Sequence, residues 1–149
     1  MHEVDLVDIE PDDPRALGDV LPVLLELRPH LTAESFDAIY REGHPQGLRF
    51  LAAYVDGRCG AVAGWRLIAT TAYGRKLYVD DLVTAADQRS HGLGRALLTE
   101  LAERARAAGC SVIDLDSGVQ RKDAHRFYMR EGLTISSFHF TKGLGPTSP

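Results

Sequence analysis

Asp87–Leu98 reads DQRSHGLGRALL and sets two glycines, Gly92 and Gly94, directly ahead of a run with helical spacing. Glycines there let the backbone turn tightly and bring its N–H groups close to a ligand, and a helix starting at that point aims its positive end at the same place. A turn of this kind holds phosphate groups. It serves equally well as a plain surface turn before a helix, because a bare G-x-G has little specificity. The elements on either side must decide.

Downstream, the helix runs from about Gly92 to Ala108 with Leu93, Leu97, Leu101, Ala105 and Ala108 on one face, and Gly109 ends it. SVIDLDS, residues 111–117, reads as a buried strand. KDAHRFYMRE, residues 122–131, reads as a short helix stopped by Gly132, and TISSFHFTKGL, residues 134–144, as a final strand. Residues 145–149 are expected to be a disordered tail.

Upstream, residues 47–84 divide into three successive strands, with Asp56-Gly57 as a tight hairpin turn and TAYGRK joining the second to the third. A helix from Pro14 buries Leu17, Val20, Leu21, Leu24 and Leu25 and closes near Arg28–His30. Thr32 opens another, with Ser35 in place of the glutamate of a full capping box, and Phe36 with Ile39 or Tyr40 on its buried side. Glu3–Glu10 reads as a short first strand. The order is β-α-α-β-β-β-α-β-α-β, an α/β (α+β) chain whose antiparallel strands lead into a β-α-β unit around the glycine turn.

The chain has 149 residues, 44% of them hydrophobic, which suits one domain over residues 1–144. No apolar run approaches the roughly 18 residues of a membrane span, and the N-terminus lacks a basic region followed by an apolar one. A cytoplasmic protein with no membrane partner is expected. A net charge of −4 without a basic stripe argues against nucleic acid. Cys59 and Cys110 form no C-x-x-C and read as reduced thiols, and the six histidines show no metal-ligand spacing, so no metal site is expected.

That framework narrows the glycine turn. A dinucleotide fingerprint wants a third glycine where Leu97 stands, and the G-x-x-x-x-G-K-[ST] of a nucleotide P-loop is absent. A pyrophosphate carried by some other group remains.

RSHGLGRALL, from Arg89, fits the [QR]-x-x-G-x-[GA] signature of the GCN5-related N-acetyltransferases, and DAHRFYMREG resembles that family's later helix. The resemblance covers about Leu48 to Leu144. It implies one domain with a mixed, mostly antiparallel central sheet covered by helices on both faces, and acetyl-CoA as acetyl donor. Within the family, DSGVQRKDAHRFYMREG followed by FHFTKGL looks most like the aminoalkylphosphonate N-acetyltransferases and their small uncharacterised relatives. Many relatives carry asparagine where Arg121 stands here, so a pantetheine contact by that asparagine does not carry over. By resemblance, a main-chain N–H near Val83 holds the thioester oxygen, and the pantetheine arm pairs like an added strand with Leu82, Val83 and Thr84. The pyrophosphate falls to the loop and helix start formed by Arg89, Ser90, His91, Gly92, Leu93, Gly94 and Arg95.

Acetyl transfer needs a neutral amine. An amine with a pKa near 10.4 is about one part in 10³ neutral at pH 7, a deficit of roughly 4 to 5 kcal/mol that a base must offset. Asp80 and Asp81 in YVDDLVT, and Asp116 in IDLDSG, are the candidate bases, each with an alternative reading as a solvated carboxylate at a strand end. Strand alternation sends Asp80 and Asp81 to opposite faces. Resemblance makes the Tyr128 hydroxyl the acid that protonates the departing thiolate, against a reading as plain core, while His125 reads as structural. The amine attacks directly, since neither cysteine looks placed for an acyl-enzyme. Arg28 and His30, with Arg66 as a further candidate, suit an acceptor that carries an anionic group. The expected partner is therefore a small-molecule amine, with a homodimer as the assembly to test for. The competing readings are an acetyl-CoA-binding sensor without catalysis, a family member acting on a protein or polyamine amine, and a dinucleotide oxidoreductase.

Overall fold

Asp56 and Gly57 both take positive φ, 52° and 75°, and so form the hairpin turn expected of an Asp-Gly pair. They join β2 (Arg49–Val55) to β3 (Arg58–Thr70), which turns through Gly74 into β4 (Gly74–Thr84). The computed structural model describes residues 3–89 and 91–146. The chain separates into two compact units, Met1–Leu115 and Asp116–Pro149.

The first unit is built on a five-stranded sheet in the order β1-β2-β3-β4-β5, with β1 at Val4–Ile9 and β5 at Val112–Leu115. All neighbours are antiparallel except β4 and β5, which run parallel and pair only through Lys76–Val79 against Val112–Leu115. Between β3 and β4 the register slips: Gly64 opposes Asp81 and Trp65 opposes Val79, leaving Asp80 as an extra residue in a β-bulge.

On one face, Phe50, Ala52, Tyr54 and Val62 pack with Val20, Leu21, Leu24, Phe36 and Tyr40 of the N-terminal helical segments. The alternate residues Leu51, Ala53, Ala61 and Ala63 are equally buried. On that side α3 (Leu93–Ala107) lies with Leu93, Leu97, Leu98, Leu101 and Ala105 inward and sets the Arg104 guanidinium 5.6 Å from the Trp65 ring. Helices therefore cover both faces. Gly109 ends α3 with φ 77°, the Cys110 N–H returning to the Ala105 carbonyl and the Gly109 N–H to that of Arg106.

The N-terminal helical region departs from its expected face. Residues Ala16–Val20 form a π-helical turn that leads into α1 (Leu21–Leu24). The wider turn rotates the stripe, so Ala16 and Val23 are buried while Leu17 is 42% exposed. At α2 (Ala33–Gly43) the cap is stronger than the sequence implied. Ser35 replaces the glutamate outright: its N–H donates to Thr32 Oγ1 at 3.0 Å and its Oγ accepts from the Thr32 N–H at 2.9 Å. Tyr40 is buried, with its hydroxyl donating to the Ile9 carbonyl at 2.5 Å, whereas Ile39 is half exposed.

In the second unit, α4 (Lys122–Arg130) ends at Gly132, φ 90°, with the Leu133 N–H reaching the Tyr128 carbonyl. The expected final strand over 134–144 is not formed. Phe138, Phe140 and Leu144 alternate as strand residues do, but they are exposed, Phe138 at 83% and Phe140 at 91%, and no described strand pairs with them. Strand preference acts through cross-strand packing, and without a ladder the alternation alone does not make a strand. Of the expected disordered tail, residues 147–149 lie outside the described residues.

Candidate functional site

Parallel pairing stops at Val79 and Leu115, so on the β5 side the backbone of residues 80–84 has no ladder partner among the described residues. On its other side this stretch is bonded to β3, where Asp81, Leu82, Val83 and Thr84 oppose Gly64, Ala63, Val62 and Ala61. A rigid strand with one open edge is a surface on which an extended, amide-bearing chain can pair. Leu82–Thr84, where the family resemblance places the pantetheine arm, lie on this edge.

The bulge stands at the head of that edge. An extra residue interrupts the two-residue alternation, so the expectation that Asp80 and Asp81 simply face opposite ways does not describe this turn of chain. Asp80 is gripped by Arg66, from Nε to Oδ2 at 3.1 Å and from Nη2 to Oδ1. Asp81 is held by Arg28, whose Nε and Nη2 both reach Oδ1, at 2.9 and 2.8 Å. Burial raises the Asp81 pKa above the ordinary carboxylate value, with the Arg28 charge opposing the shift, Asp80 adding to it and Arg66 opposing it again. Four charged groups from three parts of the chain thus act as one cluster. Gly64 makes room for it: a Cβ there would stand 2.9 Å from the Phe50 ring and 3.5 Å from Asp81 Oδ2. The local signal, a glycine facing two aspartates across a hairpin, lies in the sequence but depends on the register.

Beyond Thr84 the chain is tied down before it reaches the glycine turn. The Ala85 N–H donates to the Gly60 carbonyl at 2.8 Å, the Ala86 N–H donates to Glu26 Oε1 at 2.9 Å, and Arg58 pairs with Asp87. Gly92 caps α3 with φ 75°, no side chain caps the helix, and its first turn carries no acidic residue. The first N–H groups of a helix have no acceptor within it, so those of Leu93, Gly94 and Arg95 point outward with the positive end of the dipole behind them. The residues present fit a pyrophosphate. Gly92, His91 and Arg95 are exposed, and Leu93 is buried. Ser90 lies outside the described residues. Gly60, which sequence reading missed, fixes this approach: a Cβ there would come within 2.5 Å of Leu93 Cδ1, so the helix start rests directly on β3.

Other candidates are spread more widely. His30 is exposed in the turn that follows Arg28. Asp116, in the second unit, is exposed with its carboxylate 3.7 Å from His139 Nδ1. Tyr128, in the same unit, is buried, and burial raises its phenol pKa while Arg121 lowers it, so the hydroxyl is protonated at neutral pH. His125 donates from Nε2 to the Gly118 carbonyl at 2.9 Å, the structural contact expected of it. Both cysteines are free thiols. Burial pushes the Cys59 thiol up to about 11, which leaves almost no thiolate at neutral pH.

The family model of the GNAT acetyltransferases matches residues 8–133. An uncharacterized N-acetyltransferase of Bacillus subtilis, YhdJ, is 37% identical over 123 residues, covering 81% of this chain and 87% of that protein. An aminoalkylphosphonate N-acetyltransferase of Salmonella typhimurium is 42% identical over 66 residues, 44% of this chain and 43% of that protein. Among solved structures, the aminoglycoside N-acetyltransferase AAC(6')-Iy, determined with CoA, superposes with a TM-score of 0.83 at 12% identity, covering 97% of each chain. At that identity the likeness speaks for the fold.

Proposed function

Because this chain belongs to the GNAT acetyltransferase family and is an acetyl-CoA-dependent N-acetyltransferase, we propose that its acceptor is a small primary amine bearing an anionic group. The single observation that carries this reading is the paired Arg28–Asp81 and Arg66–Asp80 cluster at the head of the open β4 edge. It sets guanidinium groups for an anion beside a carboxylate for an ammonium, within one small space. The Salmonella relative, an aminoalkylphosphonate N-acetyltransferase, agrees in chemical class.

In this reading acetyl-CoA supplies the activated acetyl group, and the chain supplies position and protons. The open edge at residues 80–84 pairs with the pantetheine amides, and a main-chain N–H near Val83 on that open side polarises the carbonyl. The α3 start, from Gly92 to Arg95, takes the pyrophosphate. Asp81 is the base: burial leaves its carboxylate short of compensation, whereas Asp80 is spent on a two-pronged pair with Arg66. It accepts the ammonium proton and leaves a neutral amine to attack. By the family resemblance Tyr128, protonated at neutral pH, gives its proton to the thiolate, and the second proton that the nitrogen loses as the amide forms restores the phenol. No cysteine takes part. The carboxylates around the site disfavour a free anion without an amine, and the guanidinium groups disfavour a polycation.

Thiol release measured with aminomethylphosphonate, an aminoalkyl carboxylate, spermidine and a lysine peptide at matched concentration tests the acceptor class. The anionic amines are expected to lead. Preference for spermidine or the peptide overturns the acceptor reading and leaves the acetyltransferase assignment standing.

A further inference from the structure

The two ion pairs of the cluster are built differently. Arg66 offers both prongs of its fork to the two oxygens of Asp80, and its side chain is anchored on β3. Arg28 brings two nitrogens to one oxygen of Asp81, and it rises from the irregular turn between α1 and α2 with its side chain 46% exposed, against 16% for Asp81. A fork that lands on a single oxygen forgoes the parallel pair of bonds that makes guanidinium–carboxylate contacts strong. The cation is accessible and loosely committed, while the carboxylate is enclosed.

We propose that Arg28 is shared in time: it holds Asp81 in the resting enzyme and transfers to the anionic group of the acceptor, which thereby releases its own base. This rests on the acceptor class argued above and says how that class is selected. An incoming phosphonate or carboxylate offers Arg28 two oxygens instead of one. Asp81 then stays enclosed with Asp80 nearby on β4 and Arg66 across on β3, the other charged groups that bear on it. An enclosed carboxylate that loses its cation gains affinity for a proton. That proton comes from the acceptor's ammonium: the N–H bond breaks, the Asp81 O–H bond forms, and the electron pair left on nitrogen is the nucleophile. When product leaves, Arg28 returns to Asp81 and the proton passes to solvent. A neutral or cationic amine leaves Arg28 where it is and meets a base still paired. Arg28 is thus a specificity-determining residue acting through Asp81.

Methanesulfonate separates this from a static pair, because its anion does not titrate near neutral pH and it has no amine to react. Calorimetric titration of the full chain in buffers of differing ionisation enthalpy gives the affinity and the protons taken up. Binding to wild type is expected to take up a fraction of one proton. Asp81→Asn is expected to bind methanesulfonate more tightly, with no uptake, because Arg28 has lost its resting partner. Arg28→Gln is expected to lose binding, and its kcat/KM for aminomethylphosphonate to fall relative to that for a neutral amine, which now meets a base no longer paired. Unchanged or weaker binding by Asp81→Asn, binding without proton uptake in wild type, or absence of binding overturns the exchange. So does an Arg28→Gln variant that keeps the preference for anionic amines, an outcome that leaves the acceptor class intact. A wild type that prefers neutral amines overturns the acceptor class itself, and the exchange with it.

Discussion

Asp81 carries opposite consequences for folding and for catalysis. Its folded pKa lies above its unfolded value, so the native state binds the proton more tightly. The cost to stability appears as pH rises through the unfolded value, near 3.8, and is fully present above the folded one. Asp81→Asn is accordingly expected to melt at or above the wild-type temperature at pH 7, with the gap closing below about pH 4, where both states of the wild type are protonated. The same variant is expected to lose about 10² to 10⁴ in kcat. Thermal scans at the two pH values and one steady-state assay check both halves; a strongly destabilised, fully active variant contradicts them. Tyr128→Phe is expected to lower kcat by roughly 10² with acetyl-CoA affinity within a few fold, the effect of deleting a positioned acid. Wild-type turnover returns Tyr128 to the core. The sequence offered Asp80 and Asp81 on equal terms with Asp116 close behind, and the bulge separates the first two. That bulge follows from the pairing of Gly64 with Asp81, a fact of long-range register that spacing within YVDD does not carry.

At the scale of elements, the glycine turn was legible because every requirement it meets is local. Gly92 takes the left-handed conformation a side chain resists, and the leucines that follow give α3 its buried face. A Cβ on Gly92 would meet nothing within 4 Å, so packing does not oppose a side chain there. Gly92→Val is expected to cost the fold only the conformational strain, about 1 to 2 kcal/mol, while weakening acetyl-CoA about tenfold or more. Titration of the folded variant checks this, and unchanged affinity removes the pyrophosphate from this turn. Features that depend on other elements were not legible. Gly60 drew no reading from the sequence, because its role is set by Leu93, which follows 33 residues later. Leu17 read as core because regular helical spacing cannot foresee a π turn. Phe138 and Phe140 read as a strand because alternation describes one chain, and a strand needs two.

Across the whole molecule, the order of elements through α4 was written in hydrophobic period and turn chemistry, while the family came from the resemblance of RSHGLGRALL and DAHRFYMREG. What the sequence withheld is the depth of the β4–β5 pairing. A parallel ladder of only four residues leaves residues 80–84 without a ladder partner on that side among the described residues, the edge on which the proposed chemistry depends. The Arg28 turn, Arg66 on β3 and the two aspartates of β4 meet at the head of that edge. No helix among the described residues is long and apolar enough to cross a membrane. The central claim, an acceptor selected by its anionic group, is tested most directly by comparing kcat/KM for aminomethylphosphonate with that for its diethyl ester. The two share the amine and differ chiefly in charge. The phosphonate is expected to be favoured by about 10², the scale of one well-formed charged contact made in the transition state. Equal rates, or a faster ester, contradict it.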